Sequence, residues 1–593
     1  MKTTNNTEKW TLDSLYKGKG DSPEIIEFFQ CLKEKVNELI DNLKIPSEKD
    51  WESIKHLILH MDDVTKRLEE LKEFTLSLTS QDSSDEAAKQ LDYQLSDLSR
   101  EFSQLERLFY QTLNGMDGSI WEKMKEELSS PLYFYFLKQK ERLSDTLHPE
   151  MENLIDELSI DGYRSWEALY QQSINKLKFT ITVDGKEGVV TFGELAKYNS
   201  NSKRSIRLAA HEARVRTLNE NEDLFASILN HLAGFRTKLY KQRGWDSVLK
   251  ETLTLNKMSE TTLKAMWDTI KDNNQMFQAY FQRKAKLLGV EKLSYFDLFY
   301  PISSAEETKK YSIKDAIEFI SHKAYEHSFP VLSQFVKDSY DNRWIDSEIR
   351  PNKRQGGMAF AFPISQESRL FVNYNSEFND VTVLAHELGH TFHATVLFDQ
   401  PSFCQKYPMS LAETASTFNE LIVTESTEGI PVEQRLSNIE EKINTAVLYL
   451  LYVQFHFHFE LEMYNRKKAG KYLSAEELKS LIVAFQKEVF SDCLEHYQEF
   501  FWLHTPHFYY IDQPFYNFVY TFGFLFSNGL FEMSKTDPNF EKKYIELLKD
   551  TGIYSVEELS EKHLGIDLTK PVFWEKSIQL IKQQIEEFLE ITK

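Results

Sequence analysis

Across residues 51–78 the apolar side chains Ile54, Leu57, Ile58, Met61, Val64, Leu68 and Leu71 recur every three or four positions among charged residues. That spacing lines them along one face of a helix, and no strand pairing would bury them together. The same period runs through residues 22–158, which predicts an antiparallel helical bundle, and it returns over 201–288, over 312–335 and after Tyr374. Only 20 Gly and 15 Pro punctuate the 593 residues, too few turn formers for an all-β chain. The expected class is mainly α.

Two stretches break the period. In 178–192, Phe179, Ile181 and Val183 alternate with polar residues, Asp184-Gly185 supplies a turn and Val189-Val190 follow, the pattern of a β-hairpin. Residues 344–374 read as extended chain, with a strand over 369–374 and Gly356-Gly357 in the loop before it. A boundary is placed near residue 200, giving an N-terminal helical domain (1–200, with the hairpin near 178–192) and a second domain (201–593). No repeat of fixed period and no low-complexity tract is present.

Charge excludes some partners. The 70 Lys and Arg stand against 92 Asp and Glu, a formal net charge of −22, which opposes nucleic acids and anionic membrane surfaces alike. At 41% hydrophobic and 13% aromatic the chain has the material for a large core. Cys31, Cys404 and Cys493 form neither a disulfide framework nor a Cys-x-x-Cys metal site. The polar residues 1–10 lack the apolar core of a signal peptide, and the longest apolar run, 519–526, is too short to span a bilayer. A soluble, cytoplasmic protein with no membrane partner is expected; the oligomeric state is left open.

The chemistry concentrates in His386-Glu387-Leu388-Gly389-His390. Residues four apart stand one turn apart on the same helix face, so two imidazoles can reach one zinc ion while Glu387 leans to the same side. Random placement of the chain's 16 His and its acidic residues gives roughly 0.07 such matches. The alternative is a helix with two partly buried histidines bonded to their neighbours. A catalytic zinc site takes a third protein ligand. The three-histidine extension H-E-x-x-H-x-x-G-x-x-H fails, because its Gly position is His393 and its last His position is Val396. A carboxylate from the next helix remains: Glu413 and Glu420 lie seven apart, on one face. Ser410-x-x-Glu413 is also a capping box, and spacing alone leaves the two readings level.

The motif 386–390, followed by Ala412-Glu413-Thr414-Ala415-Ser416 and then Asn419-Glu420, resembles the M3 family of zinc metallopeptidases, its oligoendopeptidase F branch in particular. The resemblance extends from about residue 201 to the C-terminus and more weakly over the N-terminal helices. It implies one Zn2+ per chain held by His386, His390 and Glu413, Glu387 as general base, and Glu420 as the carboxylate that fixes the tautomer of a ligating histidine. It also implies a helical ellipsoid split by a deep channel that admits oligopeptides and excludes folded proteins.

Two further segments carry the resemblance. Lys353-Arg354-Gln355-Gly356-Gly357-Met358 precedes the strand, and Gly356 and Gly357 would let a substrate backbone approach closely; an ordinary hairpin turn is the alternative. Residues 504–523 contain the His and Tyr residues of a loop that binds the substrate carbonyl in relatives, with His507, Tyr510, Tyr516 and Tyr520 as candidates; the alternative is an aromatic core segment. His456 and His458, in a helix apolar nearly all round, read as packing. The expected function is zinc-dependent endopeptidase action on short unstructured oligopeptides. A metal-dependent exopeptidase and an inactive helical peptide-binding protein are the rivals.

Overall fold

The helix Trp51–Gln81 begins where Asp50 accepts the Ser53 amide at 2.9 Å, and every apolar residue of its predicted face is buried. The computed structural model describes residues 8–44, 50–302, 310–426 and 432–593; residues 1–7, the start of the polar stretch read above, lie outside them. The described residues are mainly helical.

They form two compact units, each assembled from three separated segments. The first comprises Met1–Ser144, Thr308–Ser426 and Met533–Gly565; the second comprises Asp145–Glu307, Thr427–Glu532 and Ile566–Lys593. In the second, the hairpin appears as β1 (Lys178–Val183) and β2 (Lys186–Thr191), closed by Asp184 and Gly185 at φ 50° and 78°. Both turn residues are left-handed, as a two-residue hairpin loop requires. The helices Glu222–Gln242 and Val453–Lys468 pack together in this unit. His456 is buried there, paired with the Tyr452 carbonyl at 2.7 Å and pushed down to about 3 by burial, so it is a packing residue as read. A π-helical stretch, Val447–Tyr452, precedes that helix.

In the first unit the helices Pro23–Lys44, Trp51–Gln81 and Glu86–Asn114 pack pairwise. Their core of Val36, Leu68, Leu71, Phe74, Leu105 and Phe109 continues into Phe360, Phe362 and Phe371 of a small sheet and into Phe403 and Ile553. That sheet has the order β3 (Ile345–Asp346), β5 (Glu367–Val372), β4 (Gly357–Phe362), so β4 is an edge strand, antiparallel to β5. Glu70, buried on Trp51–Gln81, grips the β4–β5 turn by accepting the Ile364 amide at 2.9 Å. Among the described residues no helix is long and apolar enough to cross a membrane.

Candidate metal centre and its pocket

The helix Phe378–Leu397 carries the 386–390 motif. A reciprocal capping box between Glu377 and Asp380 starts it. The helix Thr414–Glu425 crosses it closely, and Gly389 makes the crossing possible: a Cβ there would lie 2.5 Å from the Ala415 carbonyl oxygen and 2.7 Å from the Ser416 Cα. Backbone therefore meets backbone at the turn of helix that lies between the two histidines and their carboxylate partner.

The short helix Met409–Ala412 has Pro408 at its N-cap, which puts Ser410 inside the helix, so the capping-box alternative is not formed; Glu413 follows at φ −88°, ψ 3°, just before the second helix. Its carboxylate turns to the motif instead. Glu413 Oε2 lies 3.4 Å from His386 Nε2 and 3.3 Å from His390 Nε2, and the two nitrogens are 3.2 Å apart. The three ligand atoms form a near-equilateral triangle that could hold a metal ion. On the far side of His386, Nδ1 faces Glu420 Oε2 at 3.3 Å. A proton shared there leaves the Nε2 lone pair free to point into the triangle.

The charges within the cluster are strongly coupled. Burial works against ionised Glu413, but the hydrogen bond and charge of His390, the charge of His386 and the Ser416 hydroxyl outweigh it and hold the carboxyl down to about 2. Burial opposes the charged form of His386 too, and the carboxylates of Glu420, Glu413 and Glu387 overcome it and raise the imidazole. Glu387 is raised mainly by burial, against the pull of His386 and His390. The carboxylates Glu413 and Glu420 thus favour positive charge at the histidines between them, which a bound cation would also supply.

A cavity of about 500 Å³ opens over the triangle, lined by His386, Glu387, His390, Ala394, Tyr407, Glu413, residues 357–361 of β4 and Glu73. Gly357 lines it, and the group that needs the missing side chain is Glu387, whose Oε1 would be 2.5 Å from a Cβ at that position. Gly356, at φ 96°, makes the turn into β4, and its carbonyl accepts the Asn373 amide at 3.2 Å. That bond fixes the pairing of the strand: residue 356, and with it 358, 360 and 362, bonds to β5, while Gly357, Ala359 and Ala361 turn their amides and carbonyls to the free edge. Glu73 and Tyr407 carried no signal in the sequence. Glu73 sits in a bundle helix far from the motif, and Tyr407 is one aromatic among many; His393, buried, stacks on Tyr407 at 4.2 Å and bonds Thr551 at 2.9 Å.

The other candidates gather in the second unit. His507, Tyr510 and Tyr516 meet as a ring cluster, with His507 5.2 Å from Tyr510, 5.0 Å from Tyr516 and 6.3 Å from Tyr520 between ring centres. Tyr520 donates to the Tyr516 hydroxyl at 3.2 Å, and His507 Nδ1 pairs with Asn517. All four are half-buried, whereas Phe508, Tyr509, Phe515 and Phe518 between them are buried. Tyr509 stacks on Tyr170 at 3.7 Å. The segment thus splits into an aromatic core set and a polar half-exposed set, and the candidates are the second. Arg236 donates to the Tyr510 and Ile511 carbonyls at 3.0 and 2.8 Å, and buried Glu460 accepts the Phe515 amide at 3.0 Å, fixing the backbone from below.

The Peptidase family M3 profile matches residues 197–580. The "Oligoendopeptidase F homolog" of Lactococcus lactis subsp. lactis is 24% identical over 407 residues, which span 67% of this chain and 66% of that protein, just under two thirds of its length. The "Oligopeptidase PepF" of Bacillus subtilis is 23% identical over 595 residues, 94% of this chain and 84% of that protein. Among solved structures, a putative peptidase from Chlamydophila abortus superposes with a TM-score of 0.84 at 20% identity, covering 99% of this chain and 98% of that one. Oligoendopeptidase-F from Enterococcus faecium gives 0.68 at 20% identity, covering 96% and 98%. These likenesses establish a shared fold.

Proposed function

The chain belongs to peptidase family M3 and is therefore a metallopeptidase; from that premise we propose that it is an endopeptidase that hydrolyses internal bonds of short unstructured oligopeptides, with one zinc ion held by His386, His390 and Glu413. The observation that carries the zinc assignment is the ligand triangle, whose edges of 3.2, 3.3 and 3.4 Å match the spacing of about 3.3 Å between neighbours in a tetrahedral shell with bonds of about 2.0 to 2.1 Å. Two imidazoles and one carboxylate are a zinc donor set that leaves a position open.

The ion would supply Lewis acidity toward the scissile carbonyl and the attacking water. Glu387, on the same helix face and against the cavity wall at Gly357, takes the proton from the attacking water and returns one to the leaving amine. Glu420 holds His386 in the tautomer that presents Nε2. The free edge of β4 offers Gly357 and Ala359 amides and carbonyls to an extended peptide, which can join as an added strand. We retain 201–593 as the catalytic part, in line with the span of the family match, with Glu73 reaching its pocket from the N-terminal part, and we place the enzyme in the cytoplasm on its cysteine usage.

Metal analysis with product mapping on peptides blocked at both ends tests this reading. One zinc per chain and cuts at internal bonds are expected; blocked peptides left intact while their unblocked counterparts are trimmed from an end would replace it with an exopeptidase.

We assign the donors for the developing oxyanion to His507 and to one or more of Tyr510, Tyr516 and Tyr520. Their half-exposed hydroxyls and imidazole, on a backbone fixed by Arg236 and Glu460, suit preorganised donation. Phe at one or more of the tyrosines, and Ala at His507, is expected to lower kcat by about 10² to 10³-fold while zinc content and Tm stay near wild type. Normal turnover in all four variants would make the segment packing.

A further inference from the structure

Glu73 is a carboxylate that the mechanism above does not use, yet it lines the same cavity as Glu387, Tyr407 and Glu413. It lies one helical turn beyond Glu70, on the face of Trp51–Gln81 that holds the β4–β5 turn. The Ala361 amide, an outward amide of the β4 edge, favours its ionised form. Glu73 therefore closes the far end of the edge that begins at Gly357 under Glu387. Among the described residues no Lys, Arg or His forms an ion pair with it, although Lys72 and Lys406 both pair with neighbouring Glu69.

Glu73 is half-buried against the cavity wall, and its burial, with the charge of Glu69 adding to it, pushes it up to about 8. The phenol of Tyr407, stacked on His393 and kept protonated by burial and by the charges of Glu413 and Glu73, lines the same wall as a neutral hydroxyl beside the carboxylate. Such a wall accepts a cation, which repays the carboxylate's lost hydration.

Resting on the endopeptidase reading, we propose that Glu73, with Tyr407 beside it, forms a subsite for a cationic group of the peptide substrate, either its α-ammonium or a lysine or arginine side chain. The strand sets its place. From Gly357 to Ala361 is four residues, about 13 Å of extended chain. The cationic group therefore belongs about three to four residues from the scissile bond, on one side of it only. Glu73 is then a specificity residue: it sets which peptides are cut and where, and takes no part in bond cleavage.

The experiment measures kcat/KM of the zinc-loaded full chain on one peptide framework. Lysine is moved through four positions on each side of the cut against norleucine, and each peptide is made with a free and an acetylated amino terminus. The wild-type enzyme is expected to prefer the cation by at least about tenfold at a single location, mainly through KM. In Glu73→Gln, which keeps an acceptor for the Ala361 amide, that ratio should fall to about one. Loss of a lysine preference assigns the side chain as the natural occupant, and loss of a free-terminus preference assigns the α-ammonium. No preference in the wild type, or one that survives Glu73→Gln, overturns the subsite. Every peptide carries a C-terminal amide, so failure of the endopeptidase reading shows differently, as no cutting by wild-type enzyme of any peptide that is both acetylated and amidated.

Discussion

Glu387→Gln is expected to lower kcat by about 10² to 10⁴-fold while metal stoichiometry and Tm remain those of the wild type. Glu387 is only 8% exposed and fits against the bare backbone of Gly357. Glutamine has the same shape, so it fills the same space and leaves the triangle of His386, His390 and Glu413 undisturbed. It has no lone pair basic enough to take a proton from water. Activity measured on a blocked peptide, metal measured on the same preparation and a melting curve together check the claim. A variant that keeps most of its turnover would transfer the base to another group, and one that loses metal would make Glu387 a structural support of the cluster. Gly357→Ala is the companion from the opposite wall: a methyl 2.5 Å from Glu387 Oε1 must displace the carboxylate, so turnover should fall with metal retained.

Gly389→Ala should act in the opposite manner, on metal and stability together. The added Cβ would meet the Ala415 carbonyl oxygen at 2.5 Å and the Ser416 Cα at 2.7 Å, both backbone atoms that no rotamer change can move. The two helices must separate, at a cost of about 1 to 3 kcal/mol for an overpacked contact. Glu413 stands at the head of the displaced helix, so separation lengthens the 3.3 and 3.4 Å edges of the triangle. A loss of metal affinity of about 10 to 100-fold is expected, comparable to removal of a supporting partner, with a clear drop in Tm. Equilibrium dialysis against a competing chelator measures the first. Wild-type affinity in a variant that folds would show that the helix crossing does not set the ligand spacing.

The sequence made legible what depends on neighbours along the chain. The buried face of Trp51–Gln81, the Asp184-Gly185 hairpin and the His386/His390 pair follow from periods of 3.6 and 2. Glu413 and Glu420, read as one face, do address the same ring, at Nε2 and Nδ1 of His386. Contacts between distant segments were not legible. Glu73 reaches Ala361 across nearly half of the chain, and nothing around it distinguishes it from Glu69 or Glu70. The two glycines were visible as residues, but their purpose was not: Gly357 makes room for Glu387, and Gly389 lets two helix backbones touch. The interleaving of the two units likewise leaves no mark on composition, because each segment is helical in its own right.

That interleaving has a bearing on synthesis. The unit that holds the metal triangle draws its last segment, Met533–Gly565, from beyond the whole second stretch of the other unit. Thr551 in that segment anchors His393 on the motif helix, and Ile553 joins the core that begins at Trp10. At about 5 to 20 residues per second, a ribosome spends seconds to tens of seconds between finishing the motif and delivering the piece that supports it. During that interval the nascent chain carries both histidines and Glu413 on an unfinished scaffold, so the pocket matures only after residues 533–565 have emerged.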